Sequence, residues 1–260
     1  MEDSELKCSS CSAEPADRIN VRRAIEKLDE IYARNDLAAA GETLSFWANE
    51  ARALNDNCGL LSILNETLGY SRRTADRDLA FKTADEIIAL LNARVGQAVS
   101  VATVYVNLAT TLKHFGEAKK GLPYFDIAEN TYEKYCLDVS YEYAALLNNR
   151  AASYIDLGER DKAEEDYKKA MDILKKLGYS LEIAETYANL AELVAAKNDL
   201  KTADAYLDEC WAYLTIEDIV HDGNYAFTLT KCAPAFIRLG REDEGEALKS
   251  VAKEIYDERT

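Results

Sequence analysis

Proline and glycine are scarce in this chain of 260 residues: 3 prolines and 11 glycines. Sandwiches and barrels of many short strands need far more turn residues, so an all-β architecture is excluded and an all-helical one is expected. Histidine is rarer still, with His114 and His221 alone, and neither has a carboxylate or cysteine at the spacing of a catalytic or metal motif. No glycine-rich phosphate loop is present; Lys82-Thr83 and Lys201-Thr202 resemble the end of one without its glycines. No long apolar run exists. The most apolar window, Ser100 to Leu112, contains Asn107 and ends at Lys113, well short of the roughly 20 residues a span requires.

Positive charge is also in deficit, with 31 Lys and Arg against 47 Asp and Glu, a net charge of −16. That excess repels phosphate backbones and anionic lipid, which argues against nucleic acid and membrane partners. Six cysteines (Cys8, Cys11, Cys58, Cys136, Cys210, Cys232) are scattered without an export signal, so a cytoplasmic location with reduced thiols is expected. Cys8 and Cys11 have the spacing of half a zinc site, but no second pair follows, so no metal and no cofactor is expected. Cys136, Cys210 and Cys232 fall at apolar helix positions and read as small core residues.

What the sequence does contain is a repeat. The turns around Gly116, Gly158, Asn198 and Gly240 follow one another at intervals of 42, 40 and 42 residues. The alanines seven residues before them keep the same steps: Ala109, Ala151, Ala191 and Ala233. So do the small residues twelve after them, Ala128, Ala170, Cys210 and Ala252. Each unit reads as two amphipathic helices about a tight turn, with apolar residues such as Leu147, Ala151, Tyr154 and then Ala163, Tyr167, Ala170, Leu174 on one stripe. Glycine or asparagine suits the left-handed residue that ends a helix. The acids that follow, Glu117, Glu159 and Asp199, favour the next helix start through its dipole. Two weaker units precede these four. One turns at Asn35-Asp36 with Ala40, Leu44 and Trp47 behind it. The other turns between Ala75 and Arg77, flanked by Leu64, Leu68, Ala80, Ala84, Ile87 and Leu91. Six units fill residues 17–258 as one domain, with residues 1–16 as a flexible tail. Pro123 falls near the first turns of a second helix, and Pro234 inside a first helix, where a kink or late helix start is expected.

Asn107-Leu108-Ala109, Leu112, Gly116, Gly121, Phe125 and Ala128 form a pattern that recurs as Tyr154, Gly158, Ala163, Tyr167 and Ala170. It appears again as Asn189-Leu190-Ala191, Val194, Ala203 and Leu207. It resembles the tetratricopeptide repeat, with units of 40 to 42 residues instead of about 34. Such long units are similar to those of kinesin light chains and of the peptide-pheromone receptors of Gram-positive bacteria. The resemblance implies a right-handed α-α superhelix of about six helix pairs, and a non-enzymatic scaffold that binds a protein or peptide segment. The alternative it implies is a peptide-sensing regulator without an output domain. The groove is expected to be lined by the first helix of each pair.

Projecting the family's register places Arg22, Glu26, Asp29 and Tyr32 on that lining in the first unit, and Asn65, Glu66, Arg72 and Arg73 in the second. Thr103, Val106, Asn107, Thr110, Lys113 and His114 follow, then Asn148, Asn149, Ala152, Ile155 and Asp156. Glu185, Ala188, Asn189, Glu192 and Ala195 come next, and Phe227, Thr230, Lys231, Ile237 and Arg238 last. Asn107, Asn149 and Asn189 hold one place in three consecutive units. An amide offers donor and acceptor together, as a peptide main chain demands, but it serves equally to bond a neighbouring helix. Six cations in this lining balance six acids, so the face is neutral inside an acidic chain.

Overall fold

The computed structural model describes residues 18–34, 36–92 and 99–257, which hold twelve α-helices and no strand. The expected flexible tail at residues 1–16, with Cys8 and Cys11, lies outside the described residues, as do Asn35 and both limits of the expected repeat domain, 17 and 258. The chain divides into two compact units, Met1–Asp138 and Val139–Thr260. The first holds α1 (Val21–Ala33), α2 (Leu37–Ala53), α3 (Asn57–Arg73), α4 (Arg77–Asn92), α5 (Val99–His114) and α6 (Ala118–Lys134). The second holds α7 (Tyr141–Asp156), α8 (Arg160–Leu177), α9 (Ser180–Ala195), α10 (Leu200–Leu214), α11 (Gly223–Arg238) and α12 (Glu242–Asp257).

The turns confirm the repeat in backbone terms. Gly116, Gly158, Asn198 and Gly240 all have positive φ, between 65° and 86°. At each, two N–H groups reach back to the carbonyls that a helix end leaves open. Gly158 N donates to Ile155 O at 3.0 Å, and Glu159 N to Tyr154 O at 2.8 Å. The second pair turns at Ala75, φ 53°, with Asp76 N donating to Ser71 O at 2.9 Å. That places its turn 41 residues before Gly116 and fixes a register the sequence left open.

The acids after the turns act in two ways. Asp199 and its counterparts Asp36 and Asp76 cap the next helix, accepting from Thr202 N, Ala39 N and Leu79 N at 2.9–3.1 Å. Glu117 and Glu159 make no such cap and instead pair with Lys120 and Lys162, three residues on.

Packing follows the small-residue columns. Ala109, Ala151, Ala191 and Ala233 are fully buried, as are Ala128, Ala170 and Cys210. Helices approach closely at Gly121 and Gly245, where an added Cβ would stand 2.9 Å from the carbonyl oxygens of Ala109 and Ala233. Within each unit the helices pack on their sequence neighbours, and the first helices of successive pairs also meet, α3 on α5 and α9 on α11. Around these contacts each unit buries its own core, Leu28, Ile63, Leu68 and Leu108 in the first, and Leu147, Leu174, Ile183 and Phe236 in the second.

Two expectations need correction. Cys136 is exposed, because it occupies a positive-φ turn residue (φ 56°) after α6 instead of a core position; Cys210 and Cys232 are buried as expected. Of the two outcomes expected at Pro234, a kink or a late helix start, the late start does not occur. α11 starts at Gly223, where Asp222 accepts from Asn224 N and Tyr225 N, and runs unbroken past the proline. Burial of Leu229, Ala233 and Phe236 on one face offsets the roughly 3 kcal/mol an interior proline costs.

Candidate functional site

The expected lining residues fall on the first helices in both units, and each unit treats them differently. In the first unit the asparagine amide is used internally. Asn107 Nδ2 donates to Asn65 Oδ1 at 2.9 Å, tying α5 to α3. Arg72 is half-buried and is held against the same helix, its Nη1 donating to Asn107 O at 3.3 Å and to Thr111 Oγ1. Burial lowers its pKa, an effect that nearby Glu66 partly offsets. Burial raises the pKa of Glu66, and Asp29 adds to the rise, against the opposing pull of Asn65 and Arg72. Arg73 is exposed and lies over the ring of Tyr32 at 4.4 Å. Lys113 is half-buried, and His114 is exposed, packing edge-on to Phe115 at 4.8 Å. Partial burial, Arg72 and Lys113 together lower the pKa of His114.

In the second unit Asn149 turns back on its own helix, Nδ2 donating to Ala145 O at 2.8 Å. Asn148, one residue earlier, crosses to α9 and donates to Thr186 Oγ1 at 2.9 Å, while its Oδ1 is buried without a hydrogen-bond partner. Asn189 is half-buried, and its side chain makes no hydrogen bond to any described residue. By repeat register Asn189 and Asn148 stand as Asn107 and Asn65 do, 41 and 42 residues apart. The bond closed in the first unit is therefore open in the second. Val106 and Ala188, expected on the lining, are buried, because the helix turns them toward the core.

The two lining cations of the second unit, Lys231 and Arg238, are paired with acids of α9. Lys231 Nζ donates to Glu185 Oε1 at 2.7 Å, and Arg238 Nε to Glu192 Oε1 at 2.6 Å. Both bridges span 46 residues and join α9 to α11, so the two helices run parallel and in register. Lys231 also covers the Phe227 ring at 4.8 Å, leaving that side chain 44% exposed beside the bridge. Beneath the same face Tyr167 is buried, and its pKa is raised by burial and then by Glu185, Glu192 and Asp156.

Sequence reasoning missed the polar partners that decide these arrangements. Thr111 and Thr186 receive the Arg72 and Asn148 donors, and their only sequence signal is a threonine on a first helix. A bidentate pair, Arg150 Nε and Nη2 to Asp166 at 2.8 and 3.0 Å, is buried between α7 and α8. Nothing in the local pattern marks it. Among the described residues no group of three or more His, Cys, Asp or Glu is placed to hold a metal ion. No helix among them is long and apolar enough to cross a membrane.

The arrangement offers polar donors and acceptors on a packed helical surface, the chemistry of binding. Comparison with known proteins agrees with the architecture. Residues 142–213 match the tetratricopeptide repeat family. No curated protein matches the chain in sequence. Among solved structures, the chain is similar to a putative kinesin light chain of Podosopora anserina with nearly identical tetratricopeptide-like repeats. That likeness has 15% identity and a TM-score of 0.54, and covers 75% of this chain and 94% of that one. It is also similar to a signal transduction ATPase with numerous domains from Pyrococcus horikoshii that carries a tetratricopeptide repeat sensor. There the identity is 16% and the TM-score 0.63, over 98% of this chain and 41% of that one. Residues 142–213 match the tetratricopeptide repeat, and the helices described share the tetratricopeptide-like fold of the solved structures.

Proposed function

We propose that this protein is a non-enzymatic scaffold that binds a protein or peptide segment on the first-helix surface of its second unit. The observation that carries the reading is the open amide site. Asn189 has no partner among the described residues, and the Asn148 oxygen beside it in register is unsatisfied, although the equivalent pair in the first unit is closed at 2.9 Å. An unused amide on a half-buried surface supports a ligand that brings its own donors and acceptors, as an extended main chain does. The paired charges Glu185–Lys231 and Glu192–Arg238 favour a segment of low net charge, and the chain's net −16 weighs against nucleic acid.

The test is capture of partners from native lysate by the wild-type chain and by an Asn189→Ala variant, followed by titration of the captured segment. Loss of one solvated amide bond weakens binding by about 1 kcal/mol while leaving the melting temperature nearly unchanged. Equal affinity with a lowered melting temperature would show instead that Asn189 only holds the helices together.

A further inference from the structure

Pro234 is the twelfth residue of α11, and the helix passes through it without interruption. Proline has no N–H, so the carbonyl of Thr230 lacks the donor that residue 234 would supply in any other helix. Thr230 is exposed and Pro234 half-buried, so this acceptor opens on the same surface as Lys231 and Arg238. Helix geometry directs its oxygen along the axis toward residue 234, which lies between the bridge residues Lys231 and Arg238 in sequence.

That interval has definite dimensions. Glu185 and Glu192 on α9, like Lys231 and Arg238 on α11, are seven residues apart, which is about 10 Å of helix. The common offset of 46 residues sets Asn189 level with Ala235, beside Pro234. By this register an acceptor without its donor and an amide without a partner both fall within the stretch framed by the two bridges. About three residues of extended chain span such a length. The other interior proline provides a contrast. Pro123 in α6 frees the carbonyl of Lys119 in the same way, but on a second helix, where no unpartnered amide converges on it.

We propose that the Thr230 carbonyl, freed by Pro234, is a main-chain acceptor of the binding site, receiving an N–H from an extended, uncharged peptide stretch that Asn189 holds by its amide. This rests on the peptide-binding reading above and deepens it by naming a subsite and the peptide group it takes.

The probe is a capped heptapeptide of alternating threonine and valine, which carries no charge and presents a full set of main-chain N–H groups. It is titrated into isotope-labelled full-length protein, and the Thr230 carbonyl carbon and Asn189 side-chain amide are followed by NMR. Both resonances are expected to shift together. Pro234→Ala and Pro234→Val restore the helical N–H and, with valine, keep apolar bulk. Each is expected to weaken binding about fivefold while raising the melting temperature, a split that general damage to the fold cannot produce. Unchanged affinity in both variants, with binding still lost in Asn189→Ala, overturns the carbonyl acceptor and leaves the peptide-binding surface standing. Absence of any shift at either group in the wild type overturns both.

Discussion

Ala75 occupies a backbone conformation that the corresponding turns give to glycine or asparagine. Its φ of 53° places a Cβ where a left-handed residue is penalised by roughly 1–2 kcal/mol. Ala75→Gly is therefore expected to stabilise the protein by about 1 kcal/mol in urea unfolding, whereas Gly158→Ala, at φ 78°, is expected to cost at least that much. This also explains why the second turn was hard to place from sequence. Glycine and asparagine announce a left-handed residue, and alanine does not. Asp166 and Arg150 present the opposite case, two charges with side chains 6% and 8% exposed. Arg150→Met strands a buried carboxylate and should destabilise by about 3–5 kcal/mol, while the double change Arg150→Met/Asp166→Leu should cost much less. Glu66 adds a pH dependence. Its folded pKa is raised by burial, so its penalty is absent below the unfolded value and fully present once pH exceeds the folded one. Stability should fall through that window as pH rises from about 4, and Glu66→Gln should remove that part of the fall in melting curves.

At the scale of the helix, the columns of small residues were legible because they report steric necessity. A first helix can approach a second closely only where both carry little side chain, and that requirement returns with every unit. Gly121 shows how strict it is: its Cβ would meet Ala109 O at 2.9 Å, whereas Ala163 and Ala203 carry a methyl at the same place in the next two units. Gly121→Ala gains about 1 kcal/mol in helix propensity but forces a backbone contact whose relief costs about 1–3 kcal/mol. A net loss of stability is expected in denaturant titration, against the direction propensity alone gives. Helix boundaries at prolines were less legible. A local rule treats Pro234 as a boundary, but the burial that carries α11 past it comes from α9, α10 and α12, which no local window contains. The proposed binding surface was partly legible for a related reason. The asparagine row follows the repeat period, but which amide is used internally depends on a partner about 41 residues away, and that partner is set by packing.

For the molecule as a whole, charge was the most legible quantity and its pairing the least. The expectation of a lining with balanced charge rests on a count of residues, but the bridges at Glu185–Lys231 and Glu192–Arg238 join residues 46 apart, one repeat plus one helical turn, which no sequence column reveals. Similar bridges join successive repeats elsewhere: Arg52 to Glu86, Lys197 to Asp161 and Glu164, and Arg241 to Asp208. Their number suggests a protein held together by salt bridges, but magnitudes argue otherwise. Each pair has at least one well-exposed partner or a long flexible side chain, and exposed pairs contribute about 0–1 kcal/mol. Against them stands the mutual repulsion of 16 uncompensated negative charges, which acts on every approach of one helix to the next. Salt screens both, but the pairs are in contact at 2.6–2.9 Å while the repulsive charges are mostly spread over distances near a Debye length of about 10 Å, where screening removes most of the interaction. The melting temperature should therefore rise as sodium chloride increases from about 10 to about 150 mM, across the range in which the Debye length shrinks from about 30 to about 8 Å. A melting temperature that falls over the same range would mean that the ion pairs, and not the net charge, dominate the electrostatics of the fold.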